Sequence, residues 1–358
     1  MIRLITYPFN ICVMLMLGLT FSIIDLSYFY ESPSSANIIY VILIITLYLL
    51  MSFFVLKPRR QTDIENRENE SLYKNFLLIS LIGFSVEMFI YGVPAMSATG
   101  RDGSSGIPVF HVIFYSSSII SVLLSSLYSG KKQIIICALC SFLIASAILS
   151  RQLMMVSFVI LLISTMIRYK PTKKQYFKII LSLFAIVFLF GILGNIRQQM
   201  AGDYVDDYII KIGGANADGE AIGDVFYWLW LYIASPMYNL YLNLYSYDTY
   251  GASCNITVSY GSCSGSFLMD VILPNTISKY AGGNEFFIDM VKSYLNAGTA
   301  FSASARIMGI CGILLQILLQ FLFYYVGILL TPKRLRLAFI VYFSALSLFM
   351  IFDNLYIK

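Results

Sequence analysis

Residues 307–330, IMGICGILLQILLQFLFYYVGILL, contain no charged side chain and are the clearest indication of the fold class. A helix needs about 20 predominantly apolar residues to cross a bilayer whose hydrocarbon core is about 30 Å thick. Seven further stretches come near this length and an eighth is shorter, namely residues 5–28, 36–56, 75–95, 108–128, 134–150, 152–167, 178–196 and 337–352. The pattern predicts an all-α polytopic membrane protein with about nine transmembrane helices.

The composition excludes the water-soluble classes of protein. Of the 358 residues, 59% are hydrophobic and 12% are charged, and the mean hydropathy is +0.78. A soluble domain carries about 25% charged residues, so soluble enzymes, nucleic-acid binders and disordered regulators do not fit. One histidine and six scattered cysteines argue against a multi-ligand zinc site. We expect no metal, no cofactor and no nucleic-acid partner.

The distribution of positive charge predicts the orientation in the membrane. One side of the predicted bundle carries 16 of the 24 lysines and arginines, in Arg3 and residues 57–74, 131–132, 168–178 and 333–336. Cytoplasmic segments carry this excess, so the N-terminus is expected in the cytoplasm. The organisation is then a bundle of seven helices in residues 1–196, one large external loop in residues 197–306, and further membrane helices in residues 307–358.

An aromatic segment inside the predicted loop, residues 225–247 (VFYWLWLYIASPMYNLYLNLYSY), is long enough to span the membrane. A crossing here would place residues 333–336 outside, against the charge rule. Ser235-Pro236 also interrupts the apolar run, so we expect the segment to lie in the interface, where tryptophan and tyrosine are enriched. Trp228, Trp230 and Tyr238 are candidates for stacking sugar rings, with a purely interfacial aromatic belt as the alternative.

Cys254 and Cys263 are the only cysteines predicted outside the membrane, and they lie in a Gly/Ser-rich stretch. In an oxidising compartment they are candidates for a disulfide that closes a short loop. Two free thiols are the alternative.

Three arginines are expected at the outer membrane boundary. Arg151 lies between two short apolar segments, Arg197 at the start of the loop and Arg306 at its end. A guanidinium at this depth is costly without an anion, and its planar fork suits bidentate contact with phosphate. The pattern indicates that the three converge on one diphosphate. For each one alone, the alternative is snorkelling or a salt bridge with a loop acid.

Ionisable residues inside apolar runs are functional candidates by default. Glu87 and Asp25 lie near the outer ends of their predicted helices, and a carboxylate there suits a general base. Pairing with an arginine is the structural alternative.

His111, the sole histidine, lies at the outer end of the fourth apolar segment, where we expect a packing or hydrogen-bonding role. On the same segment Ser117, Ser121 and Ser125 recur every four residues. Small residues at this spacing are typical of helix–helix contact in membranes.

These features together resemble the Wzy-type O-antigen and oligosaccharide repeat-unit polymerases of bacterial surface-polysaccharide assembly. The resemblance spans mainly residues 130–330. It rests on Ser-Arg-Gln at 150–152, Gly-Asn-Ile-Arg at 194–197, Ile-Ala-Ser-Pro-Met-Tyr-Asn at 233–239, and Gly-Thr-Ala-Phe at 298–301 before a helix with Gly309 and Gly312. Many relatives enter that helix through a Tyr-x-Asp-Phe-Gly-like sequence, which Ser-Ala-Arg-Ile-Met-Gly at 304–309 replaces here.

The resemblance implies a GT-C-like glycosyltransferase that works at the periplasmic face of the bacterial inner membrane. Such an enzyme transfers a nascent glycan from undecaprenyl diphosphate to an incoming lipid-linked repeat unit. Arg151, Arg197 and Arg306 would hold the diphosphate without a metal, and Glu87 or Asp203 would act as base. The expected partners are the lipid-linked oligosaccharide, the bilayer and a chain-length regulator.

Two other functions fit the membrane topology. A transporter or flippase of lipid-linked sugars would not need so long a loop, and its halves should repeat, but no repeat is visible in the sequence. An O-antigen ligase would use a loop histidine, and the predicted loop contains none. Both remain alternatives to the polymerase. A third alternative is an inner-membrane acyltransferase, which is disfavoured because His111 lacks a partnering Asp motif in the sequence.

Overall fold

A computed structural model of the chain describes residues 5–55, 71–96, 106–107, 109–169, 172, 174–175, 177, 181, 208–251, 266–280, 288–292, 295 and 297–356. These residues are mostly helical and contain no β-strand. A single antiparallel bridge joins Ser27 and Ala215. The expected all-α class is confirmed.

The helices follow the apolar stretches of the sequence. In chain order they are α1 (Phe9–Ile23), α2 (Ser35–Phe54), α3 (Leu72–Tyr91), α4 (Phe110–Tyr128), α5 (Lys131–Ala147), α6 (Arg151–Tyr169), α7 (Tyr208–Gly213), α8 (Ala217–Ala221), α9 (Asp224–Tyr250), α10 (Asn275–Tyr280), α11 (Ser302–Leu330) and α12 (Arg336–Leu348). Short 3-10 turns cover Pro94–Met96, Lys333–Leu335 and Phe349–Ile351, and one π-helical turn covers Leu268–Ile272.

Six helices of the described chain are long and apolar enough to cross a membrane. They are Ser35–Phe54, Leu72–Met96, Phe110–Tyr128, Arg151–Arg168, Ser302–Leu330 and Lys333–Ile351. Helix α1 is apolar but has only 15 residues, and α5 has 17. The predicted span 178–196 lies outside the described residues except for residue 181. The protein is therefore a multi-pass membrane protein, and the count of nine spans stays a prediction.

The predicted loop contains well-formed helices. Helix α9 runs without a break through Ser235 and Pro236, the two residues that interrupt the apolar run of the sequence. An internal proline removes one backbone hydrogen bond and costs about 3 kcal/mol, but both residues are buried in tertiary packing. That packing stabilises the helix against the local penalty. The depth of α9 in the membrane stays a prediction.

The chain forms two compact units. The first unit comprises Met1–Tyr7, Leu56–Lys170 and Phe323–Leu346, and the second comprises Pro8–Val55, Pro171–Leu322 and Ser347–Lys358. In the first unit α4 packs against α3, α5 and α6. The predicted serine face of α4 is buried. Beside it the Ser118 hydroxyl donates to Ser141 on α5, which bonds in turn to Ser157 on α6, at 3.0 and 2.9 Å.

In the second unit α1 packs against α2 and α9. Side chains of α9 bond to the backbone at the end of α1: the Trp230 indole donates to the Phe21 carbonyl at 2.9 Å, and the Tyr238 hydroxyl donates to the Ser22 carbonyl at 2.7 Å. The aromatic face of α9 therefore holds the end of α1.

Candidate functional site

A cavity of about 240 Å³ lies in the first unit, where α3 ends, α4 begins and the link between α5 and α6 passes. Its lining includes Glu87, Tyr91, Gly106, His111, Tyr115 and Ser150. Two of these residues, the carboxylate and the histidine, carry acid–base chemistry.

Glu87 and His111 form a direct pair across the α3–α4 contact. His111 Nδ1 lies 2.8 Å from Glu87 Oε2, and the Ile107 backbone N–H donates to Glu87 Oε1 at 3.0 Å. The Glu87 side chain is 7% exposed and the His111 side chain 36% exposed. The carboxylate is thus buried with both oxygens bonded, whereas the imidazole is partly open.

The imidazole ring is held from several sides. The buried Phe84 ring meets it edge-on, with 5.6 Å between centroids and 88° between planes. A Cβ atom at Gly106 would lie 2.5 Å from His111 Nδ1 and 3.0 Å from Glu87 Oε1. The absence of a side chain at Gly106 therefore permits the backbone to approach the pair this closely.

Two strained backbone positions lie close in sequence to residues that line the cavity. Val109 has φ of 68° and Leu149 has φ of 53°, a region that non-glycine residues rarely adopt and that a β-branched residue adopts least of all. Val109 lies two residues before His111, and Leu149 directly precedes Ser150. Such strain costs about 1–3 kcal/mol per residue and clusters at functional sites.

Of the other predicted catalytic residues, only Arg151 belongs to the described part of the first unit. It begins α6 directly after the cavity-lining Ser150, and it is exposed. Arg197, Asp203 and the disulfide candidates Cys254 and Cys263 lie outside the described residues.

Arg306 belongs to the second unit, where it already has an anionic partner. Its Nε donates to Asp289 Oδ2 at 3.0 Å and its Nη1 donates to the Gly251 carbonyl at 2.9 Å. The side chains of the ion pair are 5% and 6% exposed. The alternative considered for this arginine, a salt bridge with a loop acid, is therefore present. Its contact with a diphosphate, and the convergence of the three arginines, stay predictions.

Two asparagines of α9 frame that ion pair, and sequence reasoning missed their role. Asn243 accepts from the Asp289 N–H at 3.0 Å and donates to the Asp289 carbonyl at 2.8 Å. Asn239 accepts from the Val291 N–H at 3.0 Å and donates to the Leu295 and Ala297 carbonyls. Their spacing of four residues was a signal, because it places both on one face of a helix.

The predicted sugar-stacking residues differ in exposure. Trp230 and Tyr238 are buried, and Tyr30 stacks on Tyr238 with 4.2 Å between ring centroids. Trp228 is only half-buried, and its indole N–H has no hydrogen-bond partner among the described residues. Sugar stacking stays a prediction, and Trp228 is the member of the set with an accessible surface.

Ionisable groups elsewhere do not form a comparable site within the described chain. No group of three or more His, Cys, Asp and Glu residues there is arranged to hold a metal ion. Outside the apolar helices, burial raises the pKa of Asp270, although the N–H that Ser266 donates to its carboxylate acts in the opposite direction.

The fold and the site define a multi-pass membrane protein with a carboxylate–histidine pair on a small cavity. No protein-family model, curated protein or solved structure matches the chain. The chemistry of the site therefore carries the functional argument. A carboxylate–imidazole pair of this geometry can take a proton from a hydroxyl group and return it.

Proposed function

We propose that this protein is a membrane glycosyltransferase that polymerises lipid-linked oligosaccharide repeat units at the periplasmic face of the bacterial inner membrane. The observation that carries the proposal is the Glu87–His111 contact of 2.8 Å on a cavity at the ends of two apolar helices. Glycosyl transfer to a sugar needs a proton acceptor for the attacking hydroxyl, and this pair supplies one.

Charge on the donor side supports the same reaction. A diphosphate leaving group gains negative charge as the glycosidic bond breaks, and a fixed guanidinium stabilises that charge. Arg151 begins α6 one residue after the cavity-lining Ser150. We assign Arg151 to the diphosphate.

The size of the cavity fits the end of a glycan. Sites that enclose a whole small-molecule ligand have volumes of roughly 300–1,000 Å³, and this cavity has about 240 Å³. It accommodates the reacting end of the acceptor, while the rest of the repeat unit lies outside. Trp228, in the second unit, stays a candidate for sugar stacking from the sequence.

Deletion of the gene in the source bacterium tests the function. We expect the ladder of long surface polysaccharide on a gel to disappear while a single-repeat band remains. Loss of every repeat would indicate transport or ligation instead, and an unchanged ladder would contradict the proposal.

Complementation tests the diphosphate assignment. Arg151→Lys keeps the charge but loses the bidentate fork, so we expect normal protein level and loss of long chains. Arg168→Lys is the matched control at the other end of α6. Arg168 donates to the Ser126 and Ser129 carbonyls, which an ammonium can also bond, so its ladder should be intact. A full ladder with Arg151→Lys removes Arg151 from the site.

A further inference from the structure

We infer that His111 Nε2 is the atom that takes the proton from the acceptor hydroxyl, and that Glu87 is a positioning residue for the imidazole. This inference rests on the proposed function and assigns the roles within its site. It reverses the sequence-based expectation, in which Glu87 is the base and His111 a packing residue.

Both oxygens of the Glu87 carboxylate already have hydrogen-bond partners. Glu87 Oε1 accepts from the Ile107 N–H and Oε2 lies 2.8 Å from His111 Nδ1. An ionised carboxylate only accepts hydrogen bonds, so two donors around it suit that form. With its side chain 7% exposed, Glu87 is poorly placed to reach a substrate hydroxyl directly.

In the imidazole of His111, Nδ1 contacts Glu87 whereas Nε2 is available to a ligand. If Glu87 accepts from Nδ1, the proton of neutral His111 is on Nδ1 and the lone pair is on Nε2. Nε2 has no hydrogen-bond partner among the described residues, and the side chain is 36% exposed on the cavity. A hydroxyl nucleophile is generally activated by a base that another group, here the Glu87 carboxylate, holds in position.

The orientation of the His111 ring is restricted by its surroundings. Phe84 packs on the ring, the Gly106 backbone lies against Nδ1, and the strained Val109 leads into the turn that carries His111. These contacts restrict rotation of the imidazole, so Nε2 keeps one direction. A base that is already oriented does not have to rotate before each proton transfer, so its orientation does not slow the reaction.

The oxygen of the acceptor hydroxyl forms a bond to the anomeric carbon of the donor glycan, and its proton moves to His111 Nε2. The bond between that carbon and the lipid diphosphate breaks, and the diphosphate leaves with the electron pair. The imidazolium, stabilised by the Glu87 carboxylate, then releases its proton to water.

The tautomer can be measured on the unmodified protein, because His111 is the only histidine in the chain. We would label histidine with ¹⁵N in the full chain in lipid nanodiscs and record the spectrum at the pH of the polymerisation assay. We expect one protonated and one unprotonated nitrogen, with the proton on Nδ1. In Glu87→Gln the amide NH₂ can donate to Nδ1, which favours the proton on Nε2. A proton on Nε2 in the wild type, or protons on both nitrogens, would overturn the inference.

Rates test the role itself. A general base contributes about 10²–10⁴-fold, so His111→Ala should slow glycan transfer by that factor in nanodiscs supplied with lipid-linked repeat units. Added imidazole should restore part of the rate, because the truncated side chain leaves space for it at the cavity. A purely structural role would show no rescue.

The failures are distinguishable. If gene deletion leaves the polysaccharide ladder intact, the proposed function fails. If the ladder needs the gene but His111→Ala transfers glycan at the wild-type rate, or is slow and not rescued by imidazole, the proposed function stands and His111 is not the base.

Discussion

Among the residues that the structure describes, each of the two units contains one close pair of an acid and a basic side chain, and the pairs differ in exposure. In the second unit Arg306 and Asp289 are 5% and 6% exposed, and an asparagine frame surrounds them. In the first unit Glu87 is as well buried, at 7%, but His111 is 36% exposed on a cavity.

The difference indicates what each pair does. A buried ion pair whose groups are bonded to each other and to backbone holds two chain segments together, and its desolvation limits any net gain in stability. A pair with one buried and one open member keeps a proton acceptor within reach of a ligand. The closed pair therefore holds chain segments together, and the open pair is the one that we propose as the chemical site.

The largest expected effect on stability is at the closed pair. Arg306→Met leaves the Asp289 carboxylate buried without its cation, which costs about 3–5 kcal/mol. We expect a much lower melting temperature for the detergent-solubilised protein. The double variant Arg306→Met with Asp289→Leu removes both charges and should recover most of the loss. Equal melting temperatures for the single variant and the wild type would show that the pair does not hold this region.

A smaller effect is expected at the kink of α11. Gly309 has φ of 58°, and a Cβ there would lie 2.5 Å from Tyr247 Cδ1. Gly223 also has positive φ, at 77°, but a Cβ there meets nothing within 4 Å. Both alanine variants carry backbone strain of about 1–3 kcal/mol, and only Gly309→Ala adds a clash. The melting temperature of Gly309→Ala should therefore fall further than that of Gly223→Ala. Equal decreases in the two variants would show that the clash with Tyr247 does not contribute.

The smallest effect on stability is expected at the open pair, together with a large effect on activity. Gly106→Ala places a methyl group against His111 Nδ1 and Glu87 Oε1. Because the site faces a cavity, the side chains can shift at a cost we put at about 1 kcal/mol or less, but the imidazole loses its orientation. We expect a nearly normal melting temperature and at least a tenfold slower glycan transfer, measured on the same preparation. Unchanged transfer would mean that the orientation of the ring is irrelevant.

The sequence predicted the helices well because length and apolarity decide them. Residues 307–330 fall inside α11, and the serine spacing predicted a buried helix contact. The continuity of α9 through Pro236 was not predictable, since it depends on packing that outweighs a local penalty. That packing comes from residues distant in the chain.

The site was predictable in part. Glu87 and His111 were each placed at outer ends of successive apolar segments, which brings them to the same end of a helix pair, but the contact itself depends on helix rotation. The partner of Arg306 was one of many loop acids, and only the fold selects Asp289. Asn239 and Asn243 bond to residues about 50 positions later in the chain. The helical periodicity of a sequence reports only neighbours within a few turns, so it could not predict these contacts.

Chemical modification of the sole histidine tests whether glycan transfer depends on a free imidazole at His111. Diethyl pyrocarbonate acylates an accessible imidazole, and in this chain it has one histidine to react with. We predict that modification at His111 abolishes glycan transfer by the purified protein and that bound lipid-linked repeat unit slows the modification. Full activity of a protein shown by mass spectrometry to be modified at His111 would show that the imidazole does not take the proton.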